Sequence, residues 1–322
     1  MKPIWITLII LFVGISRPVL CPGAGFPERP ISMLVGLAAG GGNDVIARAQ
    51  AEALKAFLPQ PVTIVNKTGG GASIATADVV HAKPDGYTLL AAYEPALTIL
   101  PHINPNVPYK GPNDFQMISG GAIAPLLVGS RTNVPWKTFP EMLAYARKNP
   151  GKVRLGHSGI GSLGYICAET LVQAADVDIT LVPFTGAGQG ITSLLGGHID
   201  LININPTGLL TGHLRTGTAR ILAAYAETRN PLLPDVPSLK ELGLNVGTHN
   251  TNCFVAGPKG MPKDVLQVLV TAFMKAQKSE GFQKFARENM LIVDTSTPEE
   301  LARSVEKQWA TYRELLKKIK VQ

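Results

Sequence analysis

Cysteine is scarce in this chain, with three in 322 residues. No Cys-x-x-Cys pair occurs and the six histidines are dispersed. A redox dithiol and a zinc site therefore have no support. Charged residues make up 16% and aromatic residues 6% of the chain, and no basic run is interleaved with aromatics. The formal net charge of +7 is thus a solvated surface and not a track for phosphates, so nucleic acid is excluded as the partner. Long hydrophobic runs are missing too. The one continuous apolar stretch, from Ile4 to Ile15, is shorter than the roughly 20 residues that cross a bilayer, which excludes a polytopic membrane protein. No Gly-Lys-Ser/Thr triplet is present, so there is no Walker phosphate loop. What the chain does have is glycine (33), proline (25) and a 45% hydrophobic content that is normal for a folded protein. The length suits two domains of roughly 150 residues each.

The apolar stretch follows Lys2 and precedes Gly23, Ala24 and Gly25, the layout of a signal peptide over residues 1–25 and hence of export to the periplasm. Cys21 invites a lipid anchor, but Leu20 stands where a small residue is needed and argues against it. Removing residues 1–25 takes away Lys2 and Arg17 and no acid, so the net charge falls from +7 to +5. Cys167 and Cys253 remain; an oxidising compartment permits a disulfide between them, and two separate buried thiols are the plainer expectation.

Strand and helix patterns alternate along the chain. Apolar runs at 31–37, 62–65 and 87–92 read as strands, with helical spacing from Val45 to Phe57 and over 73–81 between them. After an irregular, Pro-rich stretch at 101–112 the alternation restarts, with strands expected at 153–156, 179–184, 199–204 and 220–225. Thr138 and Glu141 have capping-box spacing at the start of a helix, and 165–175 reads as another. Strand, loop and helix in that order imply an α/β fold with mainly parallel sheets and right-handed crossovers. The last third is helical, with Val265, Leu266, Leu269, Val270 and Phe273 on one apolar face and Leu301, Val305, Trp309, Tyr312 and Leu316 on another.

Four Gly-rich loops, at 38–44, 68–73, 157–162 and 185–190, each lie between a strand and a helix. The first N–H groups of a helix have no intrahelical partner and the helix dipole adds partial positive charge, so such loops bind carboxylate or phosphate without Lys or Arg. Strand ends of this kind facing one another across two domains make a cleft. Enzyme readings fare worse. Gly159, Gly161 and Gly164 spell a dinucleotide fingerprint, but no acid closes the following strand, so no cofactor is expected. Ser158 resembles a nucleophile-elbow serine, except that Ile160 stands where glycine is required; a Ser158-dependent secreted hydrolase remains the enzyme alternative.

The run Ala38-Ala39-Gly40-Gly41-Gly42-Asn43-Asp44-Val45-Ile46-Ala47-Arg48 resembles the opening of the Bug family, the TctC-like extracytoplasmic solute-binding receptors of tripartite tricarboxylate transporters. Further matching stretches are Val65-Asn66-Lys67-Thr68-Gly69-Gly70-Gly71, Lys83-Pro84-Asp85-Gly86-Tyr87-Thr88-Leu89, Ser158-Gly159-Ile160-Gly161-Ser162 and Val182-Pro183-Phe184-Thr185-Gly186-Ala187-Gly188. Leu194-Leu195-Gly196-Gly197-His198-Ile199-Asp200, Leu233-Pro234-Asp235-Val236-Pro237-Ser238 and Gly257-Pro258-Lys259-Gly260-Met261-Pro262 continue the match in order.

The resemblance implies a two-lobed, type II-like periplasmic-binding-protein fold (a Venus flytrap). Lobe 1 would comprise 26–124 plus 255–322 and lobe 2 125–254, with crossings near 122–128 and 253–256. It also implies no catalysis and no cofactor. The expected protein is a monomer that takes a small carboxylate solute and delivers it to membrane permease subunits; a ligand sensor feeding a regulatory partner is the alternative. The ligand residues it implies are Ala38, Ala39, Gly40, Gly41 and Asp44 in one loop and His157, Ser158, Gly159, Gly161 and Ser162 in the other. Gly70, Thr185, Gly186 and Ala187 would support them. Asp44 could instead cap its helix and fix its loop, Ser158 and Ser162 could serve turn chemistry, and Asn203 and Asn205 could face the cleft or satisfy local backbone. Tyr93 could stack on a ring or pack. Glu94, where many relatives carry a small polar residue, would disfavour a dianion if it faced the cleft and would be uninformative if exposed to solvent.

Overall fold

The computed structural model describes residues 25–318 except 160, 161, 185 and 207. The expected signal peptide before Gly25, Cys21, Gly161 and Thr185 lie outside the described residues.

The chain opens with β1 (Ile31–Val35), α1 (Gly42–Leu54), β2 (Val62–Asn66), α2 (Ser73–Val80) and β3 (Thr88–Tyr93). In β1, Ile31, Met33 and Val35 are wholly buried and alternate with half-buried Ser32 and Leu34. This is the period-2 pattern of a strand with one face buried more deeply than the other. Short helices α3 (Glu94–Thr98) and α4 (Leu100–Ile103) precede β4 (Phe115–Pro125). The chain then leaves the first sheet and builds β5 (Leu127–Arg131), α5 (Phe139–Lys148), β6 (Arg154–His157), α6 (Leu163–Ala175), β7 (Thr180–Pro183), α7 (Ala187–Leu195), β8 (Leu201–Ile204), α8 (Gly208–Arg215) and β9 (Ala219–Ala224). It returns through β10 (Asn250–Pro258) and ends with α9 (Lys263–Lys278), α10 (Glu280–Glu288), β11 (Ile292–Val293) and α11 (Pro298–Lys318).

Two sheets result, a six-stranded one in the order β11-β4-β10-β3-β1-β2 and a five-stranded one in the order β7-β6-β8-β5-β9. Both are mixed. The pairs β1–β2, β1–β3, β6–β7 and β6–β8 are parallel, as the strand–loop–helix order requires. The strands that carry the chain between sheets, β4, β5 and β10, pair antiparallel with their neighbours. Helices cover both faces of each sheet, the layering of an α/β protein. In the first sheet, α1 and α9 pack on Met33 and Val255 on one face, and α2 and α11 pack on Leu90 and Phe254 on the other.

The crossing between sheets is compact. Leu126, the single residue between β4 and β5, donates its N–H to His249 O (3.2 Å) and accepts from Tyr225 N (3.0 Å), while His249 N donates to Tyr225 O (3.0 Å). β10 already pairs with Pro125 and Ala124 at Asn250 and Thr251, so the chain rejoins the first sheet a few residues before the expected 253–256. The reason is that β4 runs to Pro125 and its terminal backbone groups need a partner strand. Thr138 caps α5 as its spacing predicts, accepting from Glu141 N (3.3 Å), and the Glu141 carboxylate accepts from Lys137 N (2.7 Å). Cys167 and Cys253 are separate buried thiols, and burial pushes both thiols up, Cys253 to about 12.

Candidate functional site

The ends of β1, β2 and β3 release the loop at 36–41, the glycines before α2 and the Tyr93-Glu94 step; the ends of β6, β7 and β8 release 158–162, 184–186 and Asn205. The candidate residues thus gather at the C-terminal edges of the two sets of parallel strands, where a doubly wound sheet has its crevice.

In the first loop, Ala38, Ala39 and Gly40 are exposed. Gly41 N bonds to Ala38 O (3.1 Å) and tightens the turn, and Gly40 has φ 77°, a left-handed conformation that favours glycine. Asp44 is buried under this turn. Its carboxylate accepts from Gly40 N (2.8 Å), Arg48 Nε (2.9 Å) and Asn66 Nδ2 (2.8 Å). Burial alone would raise the Asp44 pKa, but the Arg48 guanidinium, the Gly40 N–H and the Asn66 amide together hold it below the ordinary 3.8. Asp44 thus ties the Gly40 turn to β2, while α1 takes no side-chain cap. Asn43 adds an anchor, donating from Nδ2 to Ala91 O of β3 (3.0 Å). Arg48 also reaches Asn66 Oδ1 (3.0 Å), so the cation nearest this loop is already engaged. The pair at i and i+4 was visible in the sequence; the part played by Asn66 was not, because it depends on β2 lying beside β1.

Gly41 is the N-cap of α1 and Gly186 the N-cap of α7, and neither helix has a side-chain cap. A Cβ added at Gly40, Gly42, Gly186 or Gly188 would meet nothing within 4 Å. Two helix N-termini, one beside each sheet, are thus opened by glycines with open space beside them. Ala187 is the first residue of α7, and Gly70 begins an exposed single turn before α2. The N-terminus of α6 differs: Ser162 Oγ accepts from Tyr165 N (3.1 Å) and donates to Gly159 O (2.7 Å), which is turn and cap chemistry. Ser158 is exposed, and among the described residues its Oγ makes no hydrogen bond to a histidine or a carboxylate. His157 is buried beside Tyr165 (ring centroids 5.1 Å apart), and burial pushes its pKa below 6.5 against a smaller opposing pull from the Gly159 backbone.

The two asparagines have structural partners. Asn203 donates to Gly164 O (3.1 Å) and Tyr225 Oη (2.9 Å) and lies wholly within the second sheet's core. Asn205 donates from Nδ2 to Ala124 O (3.0 Å) and Pro125 O (3.1 Å) and accepts from Thr251 Oγ1 (2.9 Å), joining β8 to both crossing strands. Tyr93 is half-buried at the end of β3, opposite Cys253.

Glu94 is not exposed to solvent, which corrects one of its two expected settings: the residue is 1% exposed, and neither carboxylate oxygen has a hydrogen-bond partner of standard geometry. Burial pushes its pKa to about 8, opposed only weakly by Asn252 and Thr98 nearby. Among the described residues no cluster of His, Cys, Asp or Glu could hold a metal, and no helix is long and apolar enough to cross a membrane.

Comparison with known proteins agrees with this architecture. Residues 46–321 match the family model TctC, the tripartite tricarboxylate transporter family receptor. The chain is 32% identical over 276 residues to a UPF0065 protein of Agrobacterium vitis, covering 85% of this chain and 79% of that one. The solved periplasmic binding protein BugD superposes with a TM-score of 0.82 at 31% identity, over 92% of this chain and 99% of its own. MatC from Rhodopseudomonas palustris, solved with bound malate, gives a TM-score of 0.80 at 26% identity, over 90% of this chain and all (100%) of that one. The architecture is that of a two-lobed periplasmic binding protein, and the chain belongs to the TctC family of tripartite tricarboxylate transporter receptors.

Proposed function

We propose that this chain is a periplasmic receptor that captures a small carboxylate solute between two lobes and delivers it to the permease subunits of a tripartite tricarboxylate-type transporter. The lobes are the six-stranded unit, 26–125 with 250–318, and the five-stranded unit, 126–249. The observation that carries the reading is the pair of helix N-termini whose N-cap is a glycine, Gly41 before α1 and Gly186 before α7, with open space where a side chain would be at Gly40, Gly42, Gly186 and Gly188. Such termini suit carboxylate oxygens, and Ala38, Ala39, Gly40, Gly70, Ser158, Gly159 and Ala187 line the same two edges. The malate held by MatC supports a dicarboxylate or a related acid as the class of solute.

Gly42→Leu tests this directly. The position is helical and open, so the side chain costs the fold little while filling the space over the α1 N-terminus. The wild-type protein is expected to gain thermal stability with at least one of malate, adipate or a panel of monocarboxylates, and Gly42→Leu to lose that gain with an unchanged melting temperature in buffer. A wild-type protein that no carboxylate stabilises, or a variant that responds like wild type, overturns the assignment.

A further inference from the structure

Two buried titratable side chains, Glu94 and His249, lie near the seam between the two units. Glu94 follows β3, and the groups facing it are Tyr93 on β3, Asn252 and Cys253 on β10, Thr98 on α3 and Tyr312 on α11. None of them is basic. His249 lies in the crossing itself, beside Tyr225 (ring centroids 6.2 Å apart) and stacked on Tyr312 (6.1 Å). Its Nε2 donates to Val246 O (2.8 Å), which leaves Nδ1 buried without a partner. Tyr312 shares the second unit's core cluster with Tyr225 and Ile166, although α11 covers the first. Ile99, which ends α3, belongs to the same cluster, so the short helix that begins at Glu94 reaches the seam where Tyr312 stacks on His249.

An acid and a base, both buried and both lacking a counter-charge, respond to pH with opposite signs. We propose that Glu94 and His249, both near the seam, form an opposed pair that couples opening of the lobe hinge to pH. The coupling rests on the solute-receptor reading only in requiring that the two units move. Closed, the seam keeps Glu94 neutral; open, Glu94 meets water and ionises as an ordinary glutamate. Raising the pH from about 4.5 to about 8 thus favours opening, and above 8 the effect of Glu94 is constant. His249 acts in reverse below its ordinary 6.5, where proton uptake favours opening as the pH falls. Below 6.5 the two oppose each other. Between 6.5 and 8 Glu94 acts alone, and its full exposure on opening would shift the equilibrium by up to about 15-fold.

Native-state hydrogen exchange on the solute-free protein reads this without any ligand. The reporters are the amides of Leu126, Tyr225 and His249, which cross-link the crossing strands. The Ser32 amide in the first sheet reports global unfolding. After correction for intrinsic rates, protection of the crossing amides is expected to be lower than that of Ser32 and to fall by up to about 15-fold from pH 6.5 to 8. In Glu94→Gln that fall disappears. In His249→Gln, whose amide can still donate to Val246 O, protection keeps rising below pH 6.5. Crossing amides that are flat from pH 6.5 to 8, that are as protected as Ser32, or that keep the wild-type slope in Glu94→Gln overturn the proposal. The wild-type profile alone decides if a variant does not fold, and none of these outcomes bears on whether a carboxylate binds.

Discussion

Asp44, in the first turn of α1, and Glu94, at the end of β3, are both buried carboxylates, and the contrast between them shows how far residue type falls short of residue role. Asp44 is met by three donors, and its pKa is lowered. Its contribution to stability is therefore present above the ordinary 3.8 and is lost as the pH falls below it. Asp44→Ala removes the acceptor of Arg48 Nε and of the Gly40 N–H and one of the two acceptors of the Asn66 amide, and is expected to cost about 1–3 kcal/mol at neutral pH. Because the loop it fixes precedes the α1 N-terminus, solute affinity should fall by at least about tenfold as well. Calorimetric melting from pH 3 to 7 beside solute titration checks both: the stability gap to wild type should close towards pH 3, and an unchanged affinity would separate Asp44 from the site. The sequence allowed both roles for Asp44, because a loop acid next to glycines suits either. The loop-fixing bonds become visible only once parallel pairing brings Asn66 alongside. Glu94 was less legible still, since burial of a carboxylate at a strand end depends on α11, more than two hundred residues further along the chain.

At the scale of elements, the βα units were readable because each strand carries its own hydrophobic pattern and each helix its own start signal. The crossing strands were not. β4 contains Gly120 and Gly121, which lie against the backbone of Asp294 and Cys253 with no room for a side chain, so the strand reads as a loop by composition. Its place in the sheet comes from β10 and β11, far away in the chain. The second sheet also carries a constraint that periodicity does not show. Asp200 is buried before β8 and accepts from Arg131 on β5 (2.8 Å) and from the Arg154 side chain on β6 (3.0 Å) and its backbone N–H (3.1 Å). Burial would raise the Asp200 pKa, but Arg154 and Arg131 outweigh it and hold it below 3.8. Asp200→Asn leaves two guanidinium groups without their anion. Since Arg154 is partly exposed and its share is screened, the loss is expected at about 2–3 kcal/mol. Urea unfolding at pH 7 and pH 3.5 tests the assignment: the difference from wild type should be large at pH 7 and shrink at pH 3.5, where the wild-type carboxylate is itself taking up a proton. A difference that does not change with pH would mean that the ion cluster is not its source.

For the whole molecule, the proposed lobe motion turns on the junction of the two sheets at Leu126 and His249, and Asn205 touches both β4 and β10 there. Its amide meets the carbonyls at the end of β4 and its oxygen meets Thr251 at the start of β10, so a change in the lobe angle strains those hydrogen bonds. A hinge residue and a ligand residue affect binding differently. Asn205→Ala removes a clasp that all solutes depend on equally, so affinity for mono- and dicarboxylates should fall by one common factor, with a stability cost of about 1–3 kcal/mol. Asn205→Asp sets a carboxylate against two backbone carbonyls and should cost more than alanine on both counts. Titration of a solute panel against wild type and both variants separates the roles. A common factor places Asn205 in the hinge, whereas factors that differ with the number or spacing of carboxylates would place its amide in contact with the solute. The geometry favours the first outcome, because the Asn205 amide and its carbonyl oxygen are already engaged by the crossing strands.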